Sequence, residues 1–176
     1  MLDWALRRLD GGETLSMLDE LAGAYVEGYA DDPDAGRSPY TPEDFLERTT
    51  GQARSPGFTL IAGYSAAELA GFSFGLPFPA GRWRRGAEGE PPAELLNVDK
   101  FAVIELVVLP PFRDQGLAGR MFRALLADRP EPYATLVAEK QGRARAMYDR
   151  WGWRATQSVR PSPDVAKLDV LVKKLS

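Results

Sequence analysis

The segment from Arg113 to Gly119 is the part of the sequence best suited to bind an anion. It follows an apolar run, Phe101–Leu109, and opens a predicted helix at Gly116. The first turn of a helix exposes unpaired N–H groups and the positive end of the helix dipole, and such an end binds phosphate readily. Gly116 has no side chain and Ala118 has a small one, so an anion can approach the backbone closely. We therefore predict a phosphate-binding turn.

Other phosphate-binding motifs do not fit this segment. A P-loop would end in Gly-Lys-Ser/Thr, and a dinucleotide fingerprint would have the pattern G-x-G-x-x-G; neither occurs here. What remains is Arg-x-x-Gly-x-Ala after an apolar run. Gly119 lies inside the predicted helix and weakens it by about 1 kcal/mol relative to Ala, so we expect close packing against a strand or ligand to compensate.

Two further side chains have chemistry to offer. Glu105 interrupts the apolar run, where a carboxylate is costly unless it is paired or at an open edge. It is therefore either an accessible base or a structural carboxylate paired with an arginine. Tyr148 lies between Met147 and Trp151 in a predicted helix, and this spacing alone favours a core aromatic. Its phenol, with an ordinary pKa of about 10, would nevertheless be a proton donor at neutral pH.

Composition limits the alternatives. The chain has 176 residues, 44% hydrophobic and 27% charged, which predicts one globular domain over residues 1–176. With 22 basic and 25 acidic residues, it has no basic excess for nucleic-acid binding. The absence of cysteine and histidine excludes disulfides, cysteine nucleophiles, Ser-His triads and histidine-based zinc sites, and we expect no metal. Met1–Asp10 does not resemble a secretory signal and no segment could span a bilayer, so we expect a cytoplasmic protein without membrane contact.

The elements that would position these residues follow from hydrophobic periodicity and turn signals. The predicted strands are Trp4–Leu9, Phe58–Tyr64, Glu68–Gly75, Phe101–Leu109, Tyr133–Ala138 and Leu168–Val172. One helix has a buried face made of Leu15, Leu18, Leu21, Ala22, Tyr25 and Val26. Others begin at Thr41 and Gly116, and a fourth ends at Gly152, a left-handed cap. This order predicts a mixed α/β (α+β) domain with a partly parallel central sheet.

Two irregular segments separate these elements. Asp31–Tyr40 and Pro77–Asn97 mix acids, arginines and aromatics, and loops as long as the second are usually functional or mobile. The second contains Arg82-Trp83-Arg84-Arg85. We expect a solvated charged loop there rather than a lid that recognises an anionic group.

Arg113-Asp114-Gln115-Gly116-Leu117-Ala118 resembles the Q/R-x-x-G-x-G/A motif of the GNAT superfamily of acyl-CoA-dependent N-acyltransferases. Glu105–Pro110 is similar to the fourth strand of that family. Gln141–Trp153 is similar to its second conserved block, in which a helix carries the tyrosine and is followed by Gly and an aromatic residue. Gln141 departs from the asparagine that the family often has seven residues before the tyrosine. The element order fits over almost the whole chain, and the resemblance implies a single domain with a central mixed sheet of about six to seven strands flanked by about four helices.

The resemblance also implies roles for individual residues. Acetyl-CoA would be the acyl donor, with its pyrophosphate on the backbone N–H groups of the turn and its pantetheine arm along the preceding strand. An N–H near Val108 would polarise the thioester carbonyl, Tyr148 would protonate the departing thiolate, and Glu105 would deprotonate the amine in a cleft where strands splay apart. The implied cofactor-binding residues are Leu106, Val107, Val108, Arg113, Asp114, Gln115, Gly116, Leu117, Ala118, Gly119 and Gln141.

The implied activity is transfer of an acetyl or other acyl group to a primary amine by direct attack. The acceptor would be a small molecule or a peptide, and its identity is not encoded in any pattern found here. A homodimer is compatible with the resemblance. The alternative is a non-catalytic domain of the same fold that senses acyl-CoA or serves as an interaction module.

Overall fold

The structure, a computed structural model, describes residues 3–175, which contain seven strands and six α-helices. The strands are β1 (Trp4–Leu9), β2 (Thr59–Ser65), β3 (Glu68–Phe78), β4 (Lys100–Val108), β5 (Tyr133–Glu139), β6 (Arg154–Val159) and β7 (Leu168–Lys174). The helices are α1 (Gly11–Leu15), α2 (Leu18–Gly28), α3 (Pro42–Ala53), α4 (Ala93–Leu96), α5 (Leu117–Leu126) and α6 (Arg143–Arg150). The strands are hydrogen-bonded in the order β1-β2-β3-β4-β5-β7-β6. The predicted mixed α/β class is confirmed.

The residues fall into two compact units. The first comprises residues 3–76 and 104–127, and the second comprises residues 77–103 and 128–175. Strand β4 begins in the second unit and ends in the first. The assignment of residues 1–176 to one domain stays a prediction.

The first unit is built on an antiparallel hairpin. Strands β2 and β3 pair from Thr59↔Gly75 to Ser65↔Glu68, and β1 pairs antiparallel with the other side of β2. Glycines in the hairpin let other elements approach closely: a Cβ at Gly63 would collide with Leu117 of α5. This approach seats the first turn of α5 directly on the sheet.

The first predicted helix is two helices. Asp10 caps α1 with a capping box to Glu13, and the chain starts α2 afresh at Leu18. The buried face of α2 is centred on Leu21 and Tyr25, whereas Val26, predicted to be buried, is 45% exposed. Val26 follows Tyr25 by about 100° around the helix, which carries it past the rim of the buried face.

Capping signals identified two other helix ends correctly. Thr41 Oγ1 accepts a hydrogen bond from the Asp44 backbone N–H at 3.1 Å, and Pro42 occupies the first turn of α3. Gly152 follows α6 with φ +83°, as expected for a left-handed residue after a helix.

The second unit is a small mixed sheet. Strand β4 runs parallel to β5 over three registered pairs, Lys100↔Tyr133 to Ala102↔Thr135, and β7 pairs antiparallel with β5 and β6. Strand β6 was not predicted because Arg154–Val159 is polar, with only Val159 buried. The short helix α4 was also missed, since helical periodicity cannot be recognised in one turn.

Candidate functional site

The turn before α5 has the geometry of an open helix N-terminus. A 3₁₀ turn at Pro110–Phe112 follows β4, and α5 begins at Leu117 with Gly116 as its N-cap. Gly116 has φ +83° and Asp114 has φ +60°, and no N-cap side chain bonds to this helix end in the described chain. A Cβ placed at Gly116 would meet no atom within 4 Å. The predicted anion-binding turn therefore borders open space.

Side chains of the turn bind back to the protein. Arg113 Nε donates to the Val108 carbonyl at 3.2 Å, and its Nη2 donates to the Gly28 carbonyl at 2.6 Å. Gln115 Nε2 donates to the Pro111 carbonyl at 3.0 Å. The Arg113 backbone N–H donates to the Pro110 carbonyl at 3.4 Å. The guanidinium of Arg113 thus braces the turn.

The backbone of β4 alternates in direction. The Leu109 N–H donates to the Ala70 carbonyl at 2.9 Å, and the Glu105 carbonyl accepts from Ser73 Oγ at 2.8 Å, so both residues face β3. Because successive residues of a strand direct their backbone groups to opposite sides, Val107 also faces β3, and Leu106 and Val108 face away. Of the three residues predicted to pair with an extended ligand, Leu106 and Val108 have the required direction.

Glu105 is a buried, paired carboxylate. Its side chain is 10% exposed, Tyr29 Oη donates to Oε2 at 3.0 Å, and Arg48 Nη2 lies 3.6 Å from Oε1. Burial raises the pKa of Glu105 to about 7, and the Arg48 charge and the Tyr29 hydrogen bond only partly oppose that rise. Of the two alternatives left open by the sequence, the pairing with an arginine is present, and the role of Glu105 as a base stays a prediction.

Phenols surround this carboxylate. Tyr25 stacks on Phe45 with ring centroids 4.5 Å apart, and its ring lies 4.9 Å from that of Tyr29. Burial and then the Glu105 charge raise the pKa of Tyr25, and burial together with Asp34 and Asp32 raises the pKa of Tyr40 to about 12. Both phenols therefore stay protonated at neutral pH.

Arg48 links this cluster to the Asp31–Tyr40 segment. Its Nη1 donates to the Pro39 carbonyl at 2.9 Å, while Nη2 faces Glu105. One of the two irregular segments is thus fastened to the helix that pairs with the carboxylate.

Tyr148 lies on α6 in the second unit. It is 7% exposed, and its ring packs edge-to-face against Trp151 at 6.1 Å and Trp153 at 6.2 Å. Gln141 lies exposed just before α6. The aromatic packing expected from helical spacing is present, and a catalytic role for Tyr148 stays a prediction.

The Arg82–Arg85 segment matches the expected solvated loop only in part, because Arg82 and Arg85 are exposed and Trp83 and Arg84 are half-buried. Trp83 Nε1 donates to Gln157 Oε1 at 2.8 Å, and Arg84 Nη2 donates to the carbonyls of Val103 and Thr135. A backbone bridge between Ala87 and Val159 fastens the segment to β6. Nothing in the local sequence signals this burial, because the partners lie between 19 and 74 residues away.

Within residues 3–175, no helix combines the length and apolar composition that crossing a membrane requires.

Solved structures with this architecture belong to GNAT acetyltransferases. An acetyltransferase of the GNAT family from Streptococcus pneumoniae is similar over 99% of this chain and 100% of its own, with 12% identity and a TM-score of 0.65. PaiA N-acetyltransferase from Thermoplasma acidophilum, in complex with coenzyme A, is similar over 98% and 99%, with 12% identity and a TM-score of 0.64. Arabidopsis thaliana NAA60, in complex with a bisubstrate analogue, covers 98% of both chains with 14% identity and a TM-score of 0.67.

The chain therefore has the GNAT fold, and the resemblance first seen in the Arg113–Ala118 turn is confirmed at the level of fold. No family model and no curated protein matches the sequence itself. The structural similarity establishes the fold. At 12–14% sequence identity it does not establish the activity, for which the site is the relevant evidence.

Proposed function

We propose that this protein transfers an acetyl or similar acyl group from acetyl-CoA to a primary amine. The observation that carries the proposal is the open N-terminus of α5 at Gly116. It follows β4 after one 3₁₀ turn, and the last residues of β4 include backbone groups that face away from β3. A helix end that offers only backbone N–H groups suits a diphosphate. Neighbours of the same fold support the cofactor, since one was solved with coenzyme A and another with a bisubstrate analogue.

The donor is held by backbone groups in this proposal. The amides of Asp114, Gln115, Gly116, Leu117, Ala118 and Gly119 are the candidates for binding the pyrophosphate. Leu106 pairs with the pantetheine arm as an added strand would, because its backbone groups face away from β3. Val108 also faces away from β3, but its carbonyl accepts from Arg113 Nε, and its N–H is left for the acyl group. Gln141 is retained as a further contact to the cofactor.

Glu105 is the proposed general base. With a pKa of about 7, it is largely ionised at slightly alkaline pH and still basic enough to take a proton from the amine, directly or through water. As the neutral amine attacks the thioester carbon, the carbonyl π electrons move to oxygen, and the proton that the nitrogen loses goes to Glu105. The Val108 N–H, which points away from β3, stabilises that oxyanion.

Tyr148 is the proposed general acid. As the tetrahedral intermediate collapses, the carbon–sulfur bond breaks and the phenol donates its proton to the CoA thiolate. No cysteine is present, so the acyl group passes directly to the amine without a cysteine intermediate.

A non-catalytic acyl-CoA sensor is the second candidate. It is favoured by the packing of Tyr148 between Trp151 and Trp153, which leaves the residue only 7% exposed. A phenol committed to the core would leave CoA bound without a proton donor for the thiolate.

One pair of measurements separates these functions. Calorimetry with acetyl-CoA measures binding, and thiol release against a panel of amines measures transfer. Binding with thiol release above hydrolysis supports the enzyme, whereas binding without release for any amine supports the sensor. No binding would contradict both and leave an interaction module.

A further inference from the structure

Arg84 is a half-buried cation at the point where two parallel strands stop pairing. Its Nη2 donates to the Val103 carbonyl at 3.1 Å and to the Thr135 carbonyl at 2.9 Å. The last registered pair of β4 and β5 is Ala102↔Thr135. One nitrogen therefore bonds to both strands directly at the end of their ladder.

The charge of Arg84 has no carboxylate partner. No acidic side chain among residues 3–175 forms an ion pair with it, and two backbone carbonyls supply dipoles but no net charge. Buried charges in proteins are normally paired. Burial, followed by the nearby Arg82, lowers the pKa of Arg84 to about 10, so the guanidinium still carries its charge at neutral pH.

Two polar atoms at this place lack a hydrogen-bond partner. Nε of Arg84 is buried and unbonded, and so is Oγ1 of Thr135, whose carbonyl accepts from the same arginine. Leaving such groups unsatisfied costs about 1–3 kcal/mol each, so their retention calls for an explanation.

A second guanidinium lies beside the first. Cζ of Arg82 is 4.1 Å from the centroid of the Phe78 ring, and Cζ of Arg84 is 5.5 Å from it. The hydrogen bond from Trp83 to Gln157 holds the residue between them in place. Two positive charges are thus positioned in advance around one phenyl ring.

Lys100 provides an internal comparison. It is fully buried, whereas Arg84 is half-buried, but its Nζ donates to the Val98 carbonyl at 2.6 Å and the Leu96 carbonyl at 3.4 Å, and it has no unbonded buried nitrogen. The burial of Lys100 is accounted for by its hydrogen bonds to the carbonyls of Leu96 and Val98. Arg84 retains an unbonded N–H and has a second cation beside it.

We propose that Arg84, assisted by Arg82, binds an oxyanion group carried by the amine acceptor, either a carboxylate or a phosphate. The acceptor class is then an anionic amine such as an amino acid, an acidic peptide or a phosphorylated amine. This inference rests on the proposed acyl transfer. We assign the anion to the acceptor for two reasons. The α5 turn already accounts for the pyrophosphate of the donor. Val103, whose carbonyl accepts from Arg84, lies in β4 three positions before Leu106, which is proposed to pair with the pantetheine arm.

The test measures acceptor binding by calorimetry without acetyl-CoA. The probes are amino acids with their carboxamides, an acidic dipeptide with its diamide, and O-phosphoethanolamine with ethanolamine. The wild type should bind the anionic member of at least one pair about 10- to 100-fold more tightly, as expected for charge-assisted hydrogen bonds. The preferred pair distinguishes carboxylate from phosphate.

Variants then locate the preference. Arg84→Met should abolish it without changing affinity for the neutral member, and Arg84→Lys should restore part of it. Arg85→Met removes the same charge from an exposed neighbour and should leave the preference intact. In turnover assays, Arg84→Met should raise KM for the anionic acceptor with little change in kcat.

Two results would overturn the inference: equal binding of both members in every pair, or no binding of any anionic probe by the wild type. If Arg84→Met fails to fold, the exposed Arg82→Met variant should still weaken the preference, and an unchanged preference there would also overturn it. Acetyl-CoA binding is measured in a separate experiment. If acetyl-CoA does not bind, the proposed function is contradicted, but a preference of Arg84 for anionic probes still stands.

Discussion

Glu105 is a paired carboxylate in a largely buried environment. Its ion pair with Arg48 is long, at 3.6 Å, and Tyr29 donates a hydrogen bond to it at 3.0 Å. Those contacts do not cancel the effect of burial, so the pKa rises to about 7. A carboxylate held in this way is matched to proton transfer near neutral pH.

Replacing Glu105 by Gln tests the general base. We expect kcat/KM to fall by about 10²- to 10⁴-fold, because the proton acceptor is lost while size is kept. The wild-type profile should rise through about pH 7 as the carboxylate ionises, and the variant should lack that limb. Steady-state kinetics from pH 5.5 to 8.5 would measure both. The exposed Glu47→Gln substitution on α3 is the matched control, and a retained limb in Glu105→Gln would exclude Glu105 as the base.

Replacing Tyr148 by Phe tests the general acid. The ring packing against Trp151 and Trp153 is preserved, so the fold should be retained while the proton donor is removed. Turnover should drop on the order of 100-fold, and the dissociation constant for CoA should stay the same. Parallel turnover and calorimetric measurements would check this. Unchanged turnover would remove Tyr148 from the mechanism.

At the scale of elements, the α5 turn depends on residues from three other parts of the chain. Arg113 reaches the carbonyls of Gly28 and Val108, and Trp4 Nε1 donates to the Gln115 carbonyl at 3.3 Å. These contacts hold the turn from behind and leave Gly116 against open space. Side chains fix the conformation of the turn, and its backbone N–H groups are the candidates for binding the anion.

Replacing Gly116 by Ala tests this arrangement. The left-handed backbone costs an Ala about 1–2 kcal/mol, and the new methyl group occupies the approach of the anion. We expect CoA affinity to fall at least about tenfold. Gly36→Ala is a matched control, since Gly36 also has a left-handed φ, +73°, and open space around it. Calorimetry and thermal unfolding of both variants would separate binding from strain, and equal CoA affinities would contradict the proposed turn.

At the scale of the whole molecule, Glu105 couples stability to pH. Its folded-state pKa of about 7 lies above the ordinary value of 4.5, so the folded protein holds this proton more tightly than the unfolded chain does. The resulting stabilisation is complete below about pH 4.5 and is lost as pH rises through 7. A shift of this size corresponds to about 3 kcal/mol.

Urea unfolding can measure that coupling. Between pH 4.5 and pH 8, the free energy of unfolding of Glu105→Gln should rise relative to the wild type by about 3 kcal/mol, because the variant has no carboxylate to ionise at this position. Glu47→Gln should show no such trend. A difference between Glu105→Gln and wild type that does not change with pH would mean that Glu105 has an ordinary pKa in the folded protein.

Features set by neighbouring residues could be predicted from the sequence. The apolar run of β4, the cap at Thr41, the left-handed Gly152 and the glycine opening α5 all depend on local propensity and period, which contiguous residues carry. The motif at Arg113–Ala118, together with the Gln141–Trp153 block and the element order, indicated the GNAT fold from the sequence.

Tertiary structure alone decided the environments of the reactive groups. Tyr29 and Glu105 are 76 residues apart, and Arg84 and Thr135 are 51 apart, so no local pattern relates them. The near-neutral pKa of Glu105 and the unpaired charge of Arg84 are consequences of burial, which depends on packing by distant segments. For the same reason β6, a polar strand, could be recognised only from its pairing with β7.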